Sequence, residues 1–221
     1  MNLIFLGPPG SGKGTQARLV AEKYGLVQLA TGDMLRAAAR AGTEIGKRAQ
    51  EVMARGELVP DEIVIGIVRD RIGRADCSAG FILDGFPRTL GQAAALDDSL
   101  ASMGRAIDAV IDLKVDPVRL VERIVGRFTC ATCGEGYHEK FKRPAIQGVC
   151  NVCGGTEFIR REDDNEQTVT NRLMAYYRET APLIGYYFCK GTLRSVDGMG
   201  PIADVAAEIE SVLRPLIRDR R

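Results

Sequence analysis

The chain contains no run of five or six like charges, and its formal net charge is only +1. Neither a sequence-independent nucleic-acid surface nor a basic membrane-binding face is therefore expected. No apolar run reaches the length of a membrane span, which argues against a helical membrane protein. The first residues read as a strand, not as a basic segment followed by an apolar helix and a cleavage site, so a cytoplasmic location is the expectation. Internal repeats and low-complexity stretches are missing, and so is the Gly-x-Gly-x-x-Gly fingerprint of dinucleotide-binding units. Histidine is limited to His138. What remains is an ordinary globular composition of 221 residues, 45% hydrophobic and 27% charged, long enough to bury a substantial core and unlike a disordered segment. Small-molecule partners are the ones to look for.

Gly7-Pro8-Pro9-Gly10-Ser11-Gly12-Lys13-Gly14-Thr15 follows the apolar run Leu3-Ile4-Phe5-Leu6 and opens into the helix-forming segment 16–23. A loop so poor in side chains lets the backbone N–H groups of Gly10, Ser11, Gly12, Lys13, Gly14 and Thr15 wrap a polyphosphate. The helix N-terminus adds positive partial charge, and Lys13 reaches the outer phosphates. The implied ligand is a nucleoside triphosphate. The usual loop places Ser or Thr directly after its Lys to ligate Mg²⁺, but here Gly14 intervenes and the hydroxyl arrives at Thr15. The metal must then be held differently, and Asp84, closing the apolar run Phe81-Ile82-Leu83, is placed to hold it directly or through its waters.

Apolar runs at 26–29, 81–84, 109–113 and 193–196 read as further strands. Between them, helices are expected at 34–41, 44–55, from Pro60 to near Gly73, from about Thr89, from Asp116-Pro117 to Gly126, at 167–189 and at 201–213. This alternation predicts an α/β fold: a parallel sheet covered on both faces, with ligands at the carboxyl ends of its strands. Residues 127–164 break the alternation and carry Cys130-x2-Cys133 and Cys150-x2-Cys153. Paired cysteines at this spacing suit a tetrahedral, structural Zn²⁺ site, with Gly134 and Gly154 allowing the chain to turn tightly around the metal. Disulfides or a redox pair are the competing reading of the same residues. Cys77 and Cys189, unpaired in sequence, read as small buried or half-buried apolar residues.

The segment from Gly7 to Gln16, together with Asp84-Gly85-Phe86-Pro87-Arg88-Thr89, resembles the nucleoside monophosphate kinases and looks most like the adenylate kinases. Further motifs strengthen the likeness: Arg123-Ile124-Val125-Gly126-Arg127, the run from Arg161 to Val169, and Asn171-Arg172-Leu173. The resemblance covers essentially the whole chain. It implies a phosphate-loop fold with a five-stranded core made of residues 1–29, 60–126 and 165–221, a monophosphate-binding insert at 30–59 and a lid at 127–164. It further implies reversible transfer of the terminal phosphoryl of Mg²⁺-bound ATP to AMP, giving two ADP, by a monomer.

On that likeness Arg123 stacks on the ATP base, Arg127 contacts its phosphates, and Tyr137 and Gly200 join the ATP contacts. Arg36 and Arg88 would grip the acceptor phosphate, while Arg161 and Arg172 close over the transferring group. Thr31, Glu57, Leu58, Val59, Gly85, Phe86, Pro87 and Gln92 would surround the acceptor nucleotide. Transfer spreads negative charge over the moving group, so catalysis by arginines, Lys13 and Asp84 without a protein nucleophile is the chemistry to expect. Two other readings compete: a uridylate, cytidylate or guanylate kinase, and a zinc-ribbon nucleic-acid-binding protein with an ATPase core.

Overall fold

The computed structural model describes residues 1–218. The chain runs β1 (Asn2–Leu6), α1 (Lys13–Tyr24), β2 (Val27–Ala30), α2 (Thr31–Arg40), α3 (Glu44–Ala54), α4 (Asp61–Ile72), β3 (Phe81–Asp84), α5 (Leu90–Ser102), β4 (Ala109–Lys114) and α6 (Leu120–Val125). It continues through β5 (Arg127–Cys130), β6 (Gly136–His138), β7 (Phe158–Ile159), α7 (Glu166–Ala175), α8 (Pro182–Cys189), β8 (Leu193–Asp197) and α9 (Ile202–Arg218).

The expected five-stranded sheet is present, in the order β2-β3-β1-β4-β8, with every pairing parallel. Strands covered on both faces are apolar at successive positions, and β1 is buried along its whole length. Ile4, Leu6, Leu83 and Val110 pack with Val68, Leu96, Leu100 and Leu183 from α4, α5 and α8 on one face. Leu3, Phe5, Ile82 and Ile111 pack with Ala17 and Val20 of α1 and Val205, Ile209 and Leu213 of α9 on the other. The β1–β3 register sets Asp84 beside Phe5, so the carboxylate ends its strand next to the start of the phosphate loop.

Residues 127–164 add nothing to this sheet. They build their own antiparallel one, ordered β6-β5-β7, around Phe128 stacked on Tyr137, with Phe158 edge-on to both.

Several expected boundaries move. Thr31-Gly32-Asp33 is the first turn of α2 and not a loop before it. The helix after Asp116 begins as a short 3₁₀ turn, Pro117–Arg119. The single helix expected at 167–189 is interrupted by a π-turn, Tyr176–Thr180. Pro182 explains the interruption, because in a regular helix its ring would strike the carbonyl four residues back and it has no N–H to donate. The last helix continues past Leu213 and includes Pro215, close to its end at Arg218. Positions 219–221 of the expected core stretch lie outside the described residues. Cys77 is buried, whereas Cys189 is exposed on the last turn of α8.

Leu83 sits in a central strand with none of its surface exposed. Leu83→Ala is expected to cost about 2–5 kcal/mol in urea unfolding, since a close-packed sheet cannot collapse around the missing methyls.

Candidate active site

The phosphate loop turns through Gly10 and Gly12, at φ 82° and 94°, a left-handed conformation that favours glycine. At Gly10 a Cβ would also lie 2.7 Å from Ile124 Cγ1 of α6. No side chain caps the start of α1, so its first N–H groups stay available to an anion. The Lys13 ammonium folds back under the loop and donates to the Gly7 and Pro8 carbonyls at 2.7 and 2.9 Å. Burial pulls its pKa down to about 8; Asp84 opposes the shift, while Arg88, Arg172 and Arg127 add to it. Asp84 is pushed the other way, its carboxyl raised by burial against the pull of Lys13 and Arg88.

Gly14 finds its reason here. A Cβ at that position would stand 3.2 Å from Asp84 Oδ2, tighter than an ordinary van der Waals contact. The residue that displaces the usual metal-binding hydroxyl is thus the one that lets the carboxylate approach α1. Thr15 follows it in the first turn of α1.

Arginines from separate elements converge on this centre. Arg36 Nη2 and Arg161 Nη2 both donate to Asp33 Oδ1, at 2.5 and 3.2 Å. Arg127 makes a two-point pair with Asp164 through Nε at 2.9 Å and Nη2 at 2.7 Å. Arg172 Nη1 reaches Asp163 Oδ2 at 3.0 Å and Asp164 Oδ1 at 3.3 Å. Burial lowers the Arg88 guanidinium to about 10, helped by Arg172. It lowers Arg161 to about 10 as well, with Arg127 and Arg36 adding repulsion. Arg172 is lowered by burial against the pull of Asp163. Asp33 goes down although burial pushes it up, because the bond from Arg36 and the charges of Arg161, Arg36 and Arg127 outweigh that push.

Beside this cluster lies a pocket lined by Thr31, Leu35, Met53, Leu58, Val59, Val64, Gly85, Arg88 and Gln92. Its apolar floor and few polar groups suit a nucleoside base and its phosphate. Thr31 Oγ1 donates to the Gly85 carbonyl at 2.9 Å. Gln92 is almost fully buried: its Oε1 accepts from the Arg88 N–H at 2.7 Å and its Nε2 donates to Asp61 Oδ1 at 2.7 Å. Glu57 contributes to the lining while its carboxylate is held by Arg55, at 3.1 and 2.9 Å. The Phe86 ring belongs to the core, while Gly85 and Arg88 on either side of it face the pocket.

On the donor side, Arg123 donates to the carbonyls of Gly198 and Met199 at 3.2 and 3.5 Å, next to Gly200. Tyr137 packs within the cysteine-bearing sheet: it is buried, stacks on Phe128, and donates its hydroxyl to Cys150 Sγ at 3.3 Å. His138 is likewise occupied: Nε2 donates to the Glu122 carbonyl at 3.0 Å, and Nδ1 accepts from the Lys140 and Phe141 N–H groups.

The four expected cysteines come together, with their Sγ atoms all within 4.8 Å of one another. Cys130–Cys153 and Cys133–Cys150 are each separated by 3.6 Å, and no disulfide joins them. A tetrahedral Zn²⁺ with Zn–S distances of 2.3 Å requires S···S separations of about 3.8 Å, so the cluster fits that ion. Two matching turns present the thiols. Cys130 N–H bonds the Glu135 carbonyl and Gly134 N–H the Cys130 carbonyl, at 2.9 and 3.0 Å; Cys150 N–H bonds Gly155 and Gly154 N–H bonds Cys150, at 2.8 and 3.0 Å.

A glycine-rich loop at the end of a central parallel strand, a lysine beneath it, and arginines converging on one cleft define a phosphate-loop enzyme that handles polyphosphates. Comparison with known proteins narrows the class. The adenylate kinase family model matches residues 5–192. The chain is 59% identical over 216 residues to an adenylate kinase of Rhizobium rhizogenes, covering 98% of this chain and 100% of the relative. It is 57% identical over 213 residues to one of Paramagnetospirillum magneticum, covering 96% and 98% respectively. The chain belongs to the adenylate kinase family of phosphotransferases.

Sequence reasoning missed the carboxylates that hold the site's side chains in place: Asp33, Asp163 and Asp164 for the arginines, and Asp61 for Gln92 and Thr89. Asp163 and Asp164 stand three and two residues after Arg161, a signal that was available; Asp33 and Asp61 offer no comparable one.

Polyphosphates bind the charged form of Lys13, which is fully present below pH 8 in the ligand-free protein and is lost as the pH rises through that value. Calorimetry with a non-hydrolysable triphosphate nucleotide at pH 7 and pH 9 is expected to show affinity falling about tenfold in the wild type relative to Lys13→Met.

Proposed function

We propose that this chain catalyses the reversible transfer of the terminal phosphoryl of Mg²⁺-bound ATP to AMP, giving two ADP. The observation that carries the reading is the meeting, at Lys13 and Arg88, of the phosphate loop and the Thr31–Gln92 pocket, so that donor and acceptor phosphates end in one desolvated, cationic cleft. Family membership supports it. Positioning and charge neutralisation supply most of the catalysis of phosphoryl transfer. Lys13 and the loop N–H groups bind the donor phosphates, with Arg123 and the 198–200 segment at its base. Arg36 and Arg88 bind the acceptor phosphate. Arg127, Arg161 and Arg172 exchange their carboxylate partners for the oxygens of the moving group. Mg²⁺, when bound, neutralises charge between the donor phosphates, and Asp84 is the carboxylate that would hold it or its waters.

In this reading residues 30–59 are the acceptor-binding insert and 127–164 the lid, and the protein works as a cytoplasmic monomer. No helix among the described residues is long and apolar enough to cross a membrane. Zn²⁺ held by Cys130, Cys133, Cys150 and Cys153 is structural, because four thiolates leave no position for a reacting water.

A coupled assay for ADP with ATP and each of AMP, GMP, CMP and UMP is expected to show strong preference for AMP. A pocket fitted to one base leaves polar groups unpaired with another, and equal use of UMP would overturn the acceptor assignment. Lys13→Met should fold normally and lose roughly 10²–10³ in kcat, the usual loss for one preorganised electrostatic contact.

Cys150→Ser is expected to lose zinc and melt at lower temperature, while activity survives in the cold. Metal analysis, calorimetry and an assay on one sample test this, and lost activity with zinc and melting unchanged would refute a structural role.

A further inference from the structure

Arg88 is fixed at three points, and one comes from a residue outside the groups described above. Its backbone N–H donates to Gln92 Oε1 at 2.7 Å, its Nε donates to the Gly85 carbonyl at 2.9 Å, and its carbonyl accepts from Thr180 Oγ1 at 2.9 Å. With Nε committed, the terminal nitrogens are the part of the fork left to meet a phosphate. Thr180 is 7% exposed, so a hydroxyl there needs a protein partner, and the one it has is the main chain of Arg88.

The turn that carries Thr180 accounts for its reach. At about 100° per residue, a continuous α-helix would set Arg172 and Thr180 about 80° apart. The π-turn Tyr176–Thr180 is closed by the Ala181 N–H bonding the Tyr176 carbonyl at 2.8 Å. Its wider ring turns less per residue and swings position 180 back toward the face of position 172. Arg172 then meets the cluster from one end of the interrupted helix, while Thr180 grips Arg88 from the other.

The structure assigns to Thr180, presented by the π-turn, the role of a positioning residue for Arg88: its hydroxyl holds the main chain of residue 88 so that the guanidinium faces the acceptor phosphate. The inference rests on the reading that Arg88 grips that phosphate. Pro182, which forces the wider turn, becomes part of the same device.

Thr180→Val keeps the shape and removes the donor. Steady-state kinetics are expected to show kcat/KM for AMP falling about five- to tenfold, the effect of leaving one buried carbonyl unpaired, with KM for ATP changed less than twofold. Thr180→Ser should restore AMP use to within twofold. In an Arg88→Lys background, Thr180→Val should add nothing further, because residues acting through one another are not additive. Equal losses toward ATP and AMP, an additive double mutant, or an unchanged Thr180→Val enzyme would overturn the assignment. Should Thr180→Val fail to fold, Thr180→Ala makes the same comparison with less bulk. Wild-type enzyme is assayed first: if it ignores AMP, the proposed function fails, and the Thr180 comparison is made with the monophosphate it does use.

Discussion

Like charges crowded into a dry cleft are the constraint under which the rest of the molecule is arranged. Lys13, Arg88, Arg161 and Arg172 all have their charged forms disfavoured by burial and by neighbouring cations, Arg127 and Arg36 among them. Taking cations out of water is costly unless anions replace the lost hydration. Asp33, Asp84, Asp163 and Asp164 are those anions while no nucleotide is bound; some partners are near in sequence, as Asp33 is to Arg36, and others are far, as Asp33 is from Arg161. A polyphosphate would carry the same sign of charge into the same space. The protein therefore holds a counter-charge in the place that a polyphosphate would take.

Holding such a cluster requires a frame that does not yield. The parallel sheet, apolar on both faces, provides it: β1 delivers the phosphate loop, and β3, in register beside it, delivers Asp84. At three places an unusual backbone serves the site directly. Left-handed glycines shape the loop, Gly14 clears room for a carboxylate, and the π-turn re-aims one helix end. Elsewhere the residues follow ordinary helix and strand patterns, with Thr89 and Asn165 capping α5 and α7 through their side chains.

How much of this could be read in the sequence follows from how local each signal is. The phosphate loop, the strand–helix alternation and the four cysteines are encoded in contiguous residues with fixed spacing, and the fold and the cysteine cluster match those expectations. The π-turn was hidden because helical periodicity does not register one extra residue; Pro182 was the visible clue. The packing of Tyr137 was not legible, because an aromatic beside a nucleotide and an aromatic beside a metal cluster look alike in sequence, and its contacts with Phe128 and Phe158 appear only in the fold. The orientation of Phe86 was hidden for a similar reason, since a motif lists residues without saying which of them point inward. The pairing of Asp33 with Arg161 spans distant segments, and nothing local announces it.

The two-point bond between Arg127 and Asp164 joins the residues at which the chain enters and leaves the cysteine-bearing insert. Whatever lies between them is thereby a closed loop whose ends have a fixed separation. The entropy of closing such a loop grows only slowly with its length. While that pair is closed, insertions, deletions or a different set of metal ligands between 128 and 160, short of Arg161 and Asp163, would leave the doorway unchanged, so this stretch can be lengthened, trimmed or rebuilt without altering the spacing of the elements on which it is mounted.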